Sequence, residues 1–135
     1  MTEEQLVEDI TQVTDAFNRL DINNCRKLAD NNDPDGIFWL GYCYEHGIGM
    51  EKDEKKAFTY YQKSENMNNS NGMYQVGYCY YLGIGVEIDK RKAFTYFLKS
   101  AEAGNVMGIW KTAICYWFGI GVEKNEDKYV EWIRM

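Results

Sequence analysis

The sequence predicts an all-α fold, an α-solenoid of stacked antiparallel helical hairpins with a 36-residue period. Three observations predict it. The phrase "GYCYEHGIGM" at 41–50 returns as "GYCYYLGIGV" at 77–86 and "AICYWFGIGV" at 113–122, and a fixed period of this length marks units that bury their apolar faces only against neighbours. Within each unit the apolar residues follow helical rather than alternating spacing. Glycines and short acceptor side chains recur where one helix must stop and the next begin.

Taken in order, residues 1–35 do not keep the period. Leu6, Ile10, Val13, Phe17 and Leu20 repeat at four-three-four-three spacing and predict an amphipathic helix over 3–19. A shorter helix over 22–30 follows from the likeness of "RKLADNNDPDG" at 26–36 to "QKSENMNNSNG" at 62–72. Residues 1–35 therefore read as a degenerate repeat that caps the array, with Pro34 as a turn or helix-start signal.

The first unit spans 36–71. Ile37, Leu40, Gly41, Tyr44 and Ile48 share one helical face, so helix A runs 36–46 and stops at Gly47. Helix B runs 53–66, starts at the cap Asp53 and carries the stripe Ala57, Tyr60 and Tyr61. The second unit, 72–107, repeats this with Asp89, Ala93, Tyr96 and Phe97. The third, 108–135, begins its helix B at Asn125. Small residues stand where helices must meet closely, Gly41 and Gly77 against Ala57 and Ala93, so a bulky residue at Gly77 should cost a few kcal/mol. Tyr129 occupies the place of Ala57 and Ala93, which predicts a looser or differently capped last hairpin. Two readings of its end stay open, a truncated member of a larger array or a terminal cap at "VEWIRM".

A chain of 135 residues suits one domain that buries about two-thirds of its unfolded surface. A net charge of −6 disfavours nucleic acid and anionic membrane as partners, which need a dense basic field. The acidic start "MTEEQLVEDITQV" lacks the basic region of a secretory signal, and no run approaches the ~20 apolar residues of a membrane span. The chain reads as soluble and cytoplasmic, or nuclear by default. Cys43, Cys79 and Cys115 share one repeat position and Cys25 stands apart. Stacked layers about 8–10 Å apart exceed the reach of a disulfide, so the cysteines read as small buried hydrophobes.

The G-I-G pairs invite a phosphate-loop reading, but no third glycine follows and a helix, not a strand, precedes each. Gly47, Gly83 and Gly119 instead end helix A in a left-handed conformation, and Gly49, Gly85 and Gly121 complete the reversal. His46 is the single histidine, which leaves no triad and no metal set. Acid pairs such as Glu51 with Asp53 sit at repeat-equivalent positions and read as caps. The chain is expected to be no enzyme and to use no cofactor or metal.

The repeated residues resemble the Sel-one-like repeat, a relative of the tetratricopeptide repeat with a slightly longer unit, whose motif is L-G-x-x-Y-x-x-G-x-G-V-x-x-D-x-x-K-A. The second unit matches at Gly77, Tyr80, Gly83, Gly85, Val86, Asp89, Lys92 and Ala93. The first departs at Met50; the third departs at Thr112, Ala113, Asn125 and Tyr129. The resemblance implies a right-handed solenoid whose A helices line a concave face. A cysteine-rich bacterial branch linked to β-lactams pairs its cysteines within a hairpin, which the single cysteine per repeat here does not allow.

Positions that stay constant build the fold, and large positions that vary are candidates for recognition. On helix A these are Trp39, Tyr42, Glu45 and His46, then Gln75, Tyr78, Tyr81 and Leu82, then Ile114, Trp117 and Phe118. The reading that follows is a protein-interaction adaptor or scaffold holding a peptide or partner protein on the concave face. The alternative is a structural or regulatory spacer of a larger, kinase-linked array that self-associates through its C-terminal edge around Tyr129, Trp132 and Ile133.

Overall fold

The computed structural model describes residues 2–135, except for the side chains of residues 10 and 13–21. Seven helices follow one another in the described residues: α1 (Glu3–Asp30), α2 (Pro34–His46), α3 (Glu54–Asn66), α4 (Ser70–Leu82), α5 (Lys90–Glu102), α6 (Val106–Phe118) and α7 (Glu126–Ile133). Each packs on the helix before and after it, and the A helices α2, α4 and α6 touch one another only lightly. The result is an all-α repeat solenoid.

The N-terminal segment corrects the expectation of two helices. Residues 3–30 form one helix of 28 residues. No glycine or proline occurs before Pro34, so nothing interrupts the backbone ladder near residue 20. Thr2 starts it by accepting from the Gln5 amide at 3.1 Å. Of the expected apolar stripe, Ile10, Val13, Phe17 and Leu20 lie outside the described side chains, and Leu6 is exposed.

The far end of α1 behaves as a helix B does. It exits through Asn32 at φ 59°, as α3 exits through Asn68 at 63° and α5 through Gly104 at 84°. The next amide then turns back onto the helix: Asp33 to the Leu28 carbonyl at 2.8 Å, Asn69 to Ser64 at 3.2 Å and Asn105 to Ser100 at 3.1 Å. Gly36 abuts Leu28 just as Gly72 abuts Ser64 and Gly108 abuts Ser100, so closely that an added Cβ would overlap them. Beside these contacts the Ser64 hydroxyl donates to the Pro34 carbonyl at 3.0 Å and Ser100 to the Ser70 carbonyl at 2.8 Å.

Helix A begins two residues before the expected start. Asp33, Asn69 and Asn105, themselves 36 residues apart, cap it by accepting amide protons from Gly36, Gly72 and Gly108. The expected helix B caps are present, with Asp53, Asp89 and Asn125 accepting from the amides of Lys56, Lys92 and Lys128 at 3.0, 3.1 and 3.0 Å. The phrase between the helices ends each A helix in a left-handed glycine, Gly47, Gly83 or Gly119. The isoleucine that follows donates its amide to the carbonyl of Cys43, Cys79 or Cys115, the 6→1 bond of a Schellman cap. Gly85 and Gly121 do more than finish the turn. A Cβ there would collide with the carbonyls of Glu54 and Lys90 at the start of the preceding helix B, and at Gly49 with the side chain of Ile22.

The core is assembled between units as well as within them. Phe38, Ala57 and Tyr61 of the first hairpin bury against Val76 and Cys79 of the second, and Tyr74, Ala93 and Phe97 of the second against Cys115 of the third. Burying Tyr61 completely (0% exposed) contributes about 2 kcal/mol. A Cβ on Gly41 or Gly77 would stand 2.8 Å from the ring of Tyr61 or Phe97, which is why these positions are small. The third hairpin is thinner. Its α7 has 8 residues and no buried one, and Tyr129 turns its ring toward Trp117 at 4.9 Å.

Candidate partner-binding face

Helical geometry brings the candidate residues together in two stripes. On α2, Trp39, Tyr42 and His46 fall at i, i+3 and i+7; on α4, Asn71, Gln75 and Tyr78 fall at i, i+4 and i+7. These stripes face each other across a cleft of about 460 Å³. Phe38, Tyr74 and Glu45 form its buried floor, and Met107 of α6 closes one side.

The α2 wall is continuous aromatic surface. Trp39 meets Phe38 edge-on at 5.0 Å and Tyr42 at 5.5 Å, and Tyr42 lies 4.3 Å from the His46 ring. On α4, Tyr74 and Tyr78 stack at 6.1 Å. Burial, with the neighbouring Tyr78, raises the pKa of the Tyr74 hydroxyl. Trp39 and Tyr42 also border a second hollow of about 340 Å³ against α1, with Ile22, Cys25 and Ile48. Trp39 is 47% exposed, so its ring is presented rather than packed away.

Of the eleven residues expected on this face, six line the cleft: Trp39, Tyr42, Glu45, His46, Gln75 and Tyr78. Tyr81, Leu82, Ile114, Trp117 and Phe118 do not line it. Leu82 and Phe118 are exposed at the C-terminal ends of their helices, beyond its reach.

Glu45 lines the cleft but is buried, not exposed as its variability suggests. It is 9% exposed, and its carboxylate accepts a hydrogen bond from the Tyr61 hydroxyl at 2.7 Å. Its second oxygen lies 3.4 Å from His46 Nε2. The reason is positional: Glu45 follows Gly41 by four residues, and Gly41 faces helix B, so Glu45 belongs to the same B-facing stripe. Tyr81 and Trp117 obey the same geometry, with their rings on Phe97 at 6.4 Å and Tyr129 at 4.9 Å. Conversely, Phe38, Asn71, Tyr74 and Met107 line the cleft without having been singled out. For Asn71 and Tyr74 the signal was their i, i+4 relation to Gln75 and Tyr78.

The remaining chemistry is quiet. Burial raises the pKa of the Cys79 thiol, with Glu45 and Glu54 adding to it, and pushes Cys115 up to about 11 despite Lys111 and Lys90. Neither is a nucleophile near neutral pH. Among the described residues no three His, Cys, Asp or Glu side chains gather as a metal site, and no helix is long and apolar enough to cross a membrane.

A family model described as Sel1 repeat matches residues 34–69, 70–105 and 106–135. Its unit boundaries fall at the starts of α2, α4 and α6 rather than two residues later. Three solved structures are similar. A Sel1 repeat protein from Oxalobacter formigenes is 25% identical with a TM-score of 0.75, over 84% of this chain and 53% of that one. A protective antigen of uropathogenic Escherichia coli displaying an SLR fold is 26% identical with a TM-score of 0.77, over 82% and 24%. Cysteine rich protein B of Helicobacter pylori is 25% identical with a TM-score of 0.68, over 89% and 86%. The chain thus spans about half the length of the first and a quarter of the second. No curated protein matches it.

Proposed function

The chain belongs to the Sel1 repeat family, and from that premise we propose that it is a non-catalytic scaffold that holds a segment of a partner protein in the cleft between α2 and α4. Proteins of Sel1 repeats are in general protein-interaction scaffolds. The observation that carries the assignment to this cleft is its wall: Trp39, Tyr42 and Tyr78 are only partly covered by their own chain and ring about 460 Å³ of open space. Large aromatic side chains with exposed faces are the anchors on which interfaces concentrate their energy.

A pull-down with the wild type and with the double variant Tyr42→Ala, Tyr78→Ala tests this. Loss of a captured partner with unchanged helical circular dichroism supports the cleft; retention of that partner by the double variant sinks it.

A second reading, a spacer that self-associates through its C-terminal edge, is favoured by a separate observation. Trp110 is 51% exposed, although its repeat equivalents Phe38 and Tyr74 are 7% and 9% exposed. With Val106, Ile133 and Met135 it borders a hollow of about 210 Å³. The surface that these residues form is apolar and exposed. Light scattering decides it: a strictly monomeric chain at high concentration removes this reading.

A further inference from the structure

Resting on that reading of the cleft, we propose that its floor recognises a guanidinium, the side chain of an arginine carried by the partner segment. Aromatic walls alone would accept any apolar anchor; the floor is what discriminates.

Glu45 lines the cleft together with Trp39, Tyr42 and Tyr78 and is 9% exposed. Its neighbours within the chain are the Tyr61 hydroxyl at 2.7 Å and His46 Nε2 at 3.4 Å. A carboxylate offers about four acceptor sites, so these two leave room for further donors. Among the described residues no lysine or arginine forms an ion pair with it. A buried carboxylate without a full counter-charge is costly, and an entering cation removes that cost.

The other repeats show what this position otherwise does. In the second unit the equivalent residue is Tyr81, and two lysines cover its ring, Lys90 at 3.7 Å and Lys111 at 5.5 Å. In the third it is Trp117, with Lys124 at 5.5 Å. Each of these copies brings its own cation to the site. In the first unit the residues standing where Lys90 and Lys111 stand are Glu54 and Gln75. The lysine of the third copy, Lys124, has its counterpart in Lys52, which forms no ion pair with Glu45 among the described residues. The first copy therefore combines aromatic faces with an acid and lacks the two lysines that the second copy places there. Lys111 also approaches Tyr78, at 5.9 Å, so the α6 side of the cleft already holds a cation and the Trp39 and Glu45 end does not. A planar guanidinium meets both demands, stacking on the rings while donating in a fork to the carboxylate.

The test titrates the full chain, labelled with nitrogen-15 at its tryptophan indoles, with a blocked Ala-Arg-Ala peptide, its citrulline counterpart and its glutamate counterpart. The arginine peptide should shift the Trp39 indole signal saturably and bind about tenfold more tightly than citrulline, the neutral isostere. The glutamate peptide should leave the signal in place. Glu45→Gln, which keeps an acceptor for Tyr61, should reduce arginine to the citrulline level.

Equal binding of arginine and citrulline overturns the proposal on the wild-type protein alone, with no variant required. An unmoved Trp39 signal, or an arginine preference that survives Glu45→Gln, also overturns it. The cleft itself is judged separately by the Tyr42, Tyr78 pull-down, so a partner lost there while citrulline binds as well as arginine leaves the scaffold standing and removes the guanidinium.

Discussion

Glu45 accepts a 2.7 Å hydrogen bond from Tyr61 across the first hairpin, and the second hairpin fills the same two positions with Tyr81 and Phe97, ring to ring at 6.4 Å. Where helix B loses its hydroxyl, helix A loses its carboxylate. The pairs are alternative solutions to one contact, and each residue suits only its own partner. Tyr61→Phe leaves Glu45 short of a donor and should cost about 1–3 kcal/mol. Glu45→Tyr alone sets a bulky ring against the Tyr61 hydroxyl. The combined Glu45→Tyr, Tyr61→Phe variant recreates the second pair and should be more stable than the sum of the single losses. Urea midpoints arranged as a double-mutant cycle check this; strictly additive losses would show the two positions to be independent.

Thr112 gives a stabilising substitution. It stands where the other units have Leu40 and Val76, is fully buried, and its hydroxyl has no hydrogen-bond partner. Thr112→Val keeps the shape, removes the orphaned polar atom and matches the second unit. It should raise stability by about 1 kcal/mol, seen as a higher urea midpoint with an unchanged slope. A lower midpoint would mean that the hydroxyl is satisfied in solution.

Two glycines with the same backbone sign should respond differently to alanine. Gly104 has φ +84° and nothing within 4 Å of an added Cβ, while Gly85 has φ +70° and would drive that Cβ into the Glu54 backbone. Gly104→Ala carries only the left-handed penalty, about 1 kcal/mol. Gly85→Ala adds overlap with a main chain that cannot yield, for a total of about 2–5 kcal/mol. Gly104→Asn should be close to neutral, since asparagine tolerates this region and Asn68 holds the equivalent place at φ 63°. Similar losses at Gly85 and Gly104 would refute the steric account.

These contrasts also show what a linear pattern can reveal. The hairpins, their caps and the left-handed glycines were legible because each is a local device repeated at the same place, as with Gly47, Gly83 and Gly119. The close approach of Gly85 to Glu54 was not, because its partner lies in the preceding unit. The burial of Glu45 was hidden for a related reason. Variation between copies looks alike whether a residue faces solvent or exchanges together with a partner sixteen positions away. The paired change Glu45 with Tyr61 against Tyr81 with Phe97 was the available signal. The continuity of α1 was missed because the repeat alignment suggested a hairpin, whereas the absence of glycine and proline before Pro34 favoured one helix.

Alkaline pH should weaken the fold through its buried acids. The Cys115 thiol is pushed up to about 11 by burial, and Cys79 and Tyr61 are also raised, in each case chiefly by burial. In the unfolded chain a thiol ionises near 8.5, as a rough reference. The folded state therefore holds more protons above that pH, and stability falls as pH rises. Below about pH 8 the contribution is fully present; for Cys115 it is lost progressively up to about 11. Urea midpoints should decline over this window, and Cys115→Ala should flatten part of the decline. The same burial predicts that Cys79 and Cys115 resist a thiol reagent until the chain unfolds. Rapid labelling of either in native buffer would contradict the packing.

The third hairpin should open before the second. Helix α7 has no buried residue, whereas α5 buries Ala93, Phe97, Ser100 and Ala101. The position of Tyr61 (0% exposed) and Phe97 (1%) is held in α7 by Ile133, which is 39% exposed. In place of Ala57 and Ala93 stands Tyr129, whose ring reaches Trp117 instead of leaving room for a close helix contact. Opening α7 thus uncovers no buried residue of its own, and the free energy of that opening lies well below that of the whole chain. Native-state hydrogen exchange should find the amides of Val130 to Ile133 exchanging through local opening, insensitive to low urea. Those of Tyr96 to Ser100 should follow the global transition. Protection of α7 equal to that of α5 would show that the Trp117 and Tyr129 contact holds α7 as firmly as the glycine contacts hold the hairpins before it.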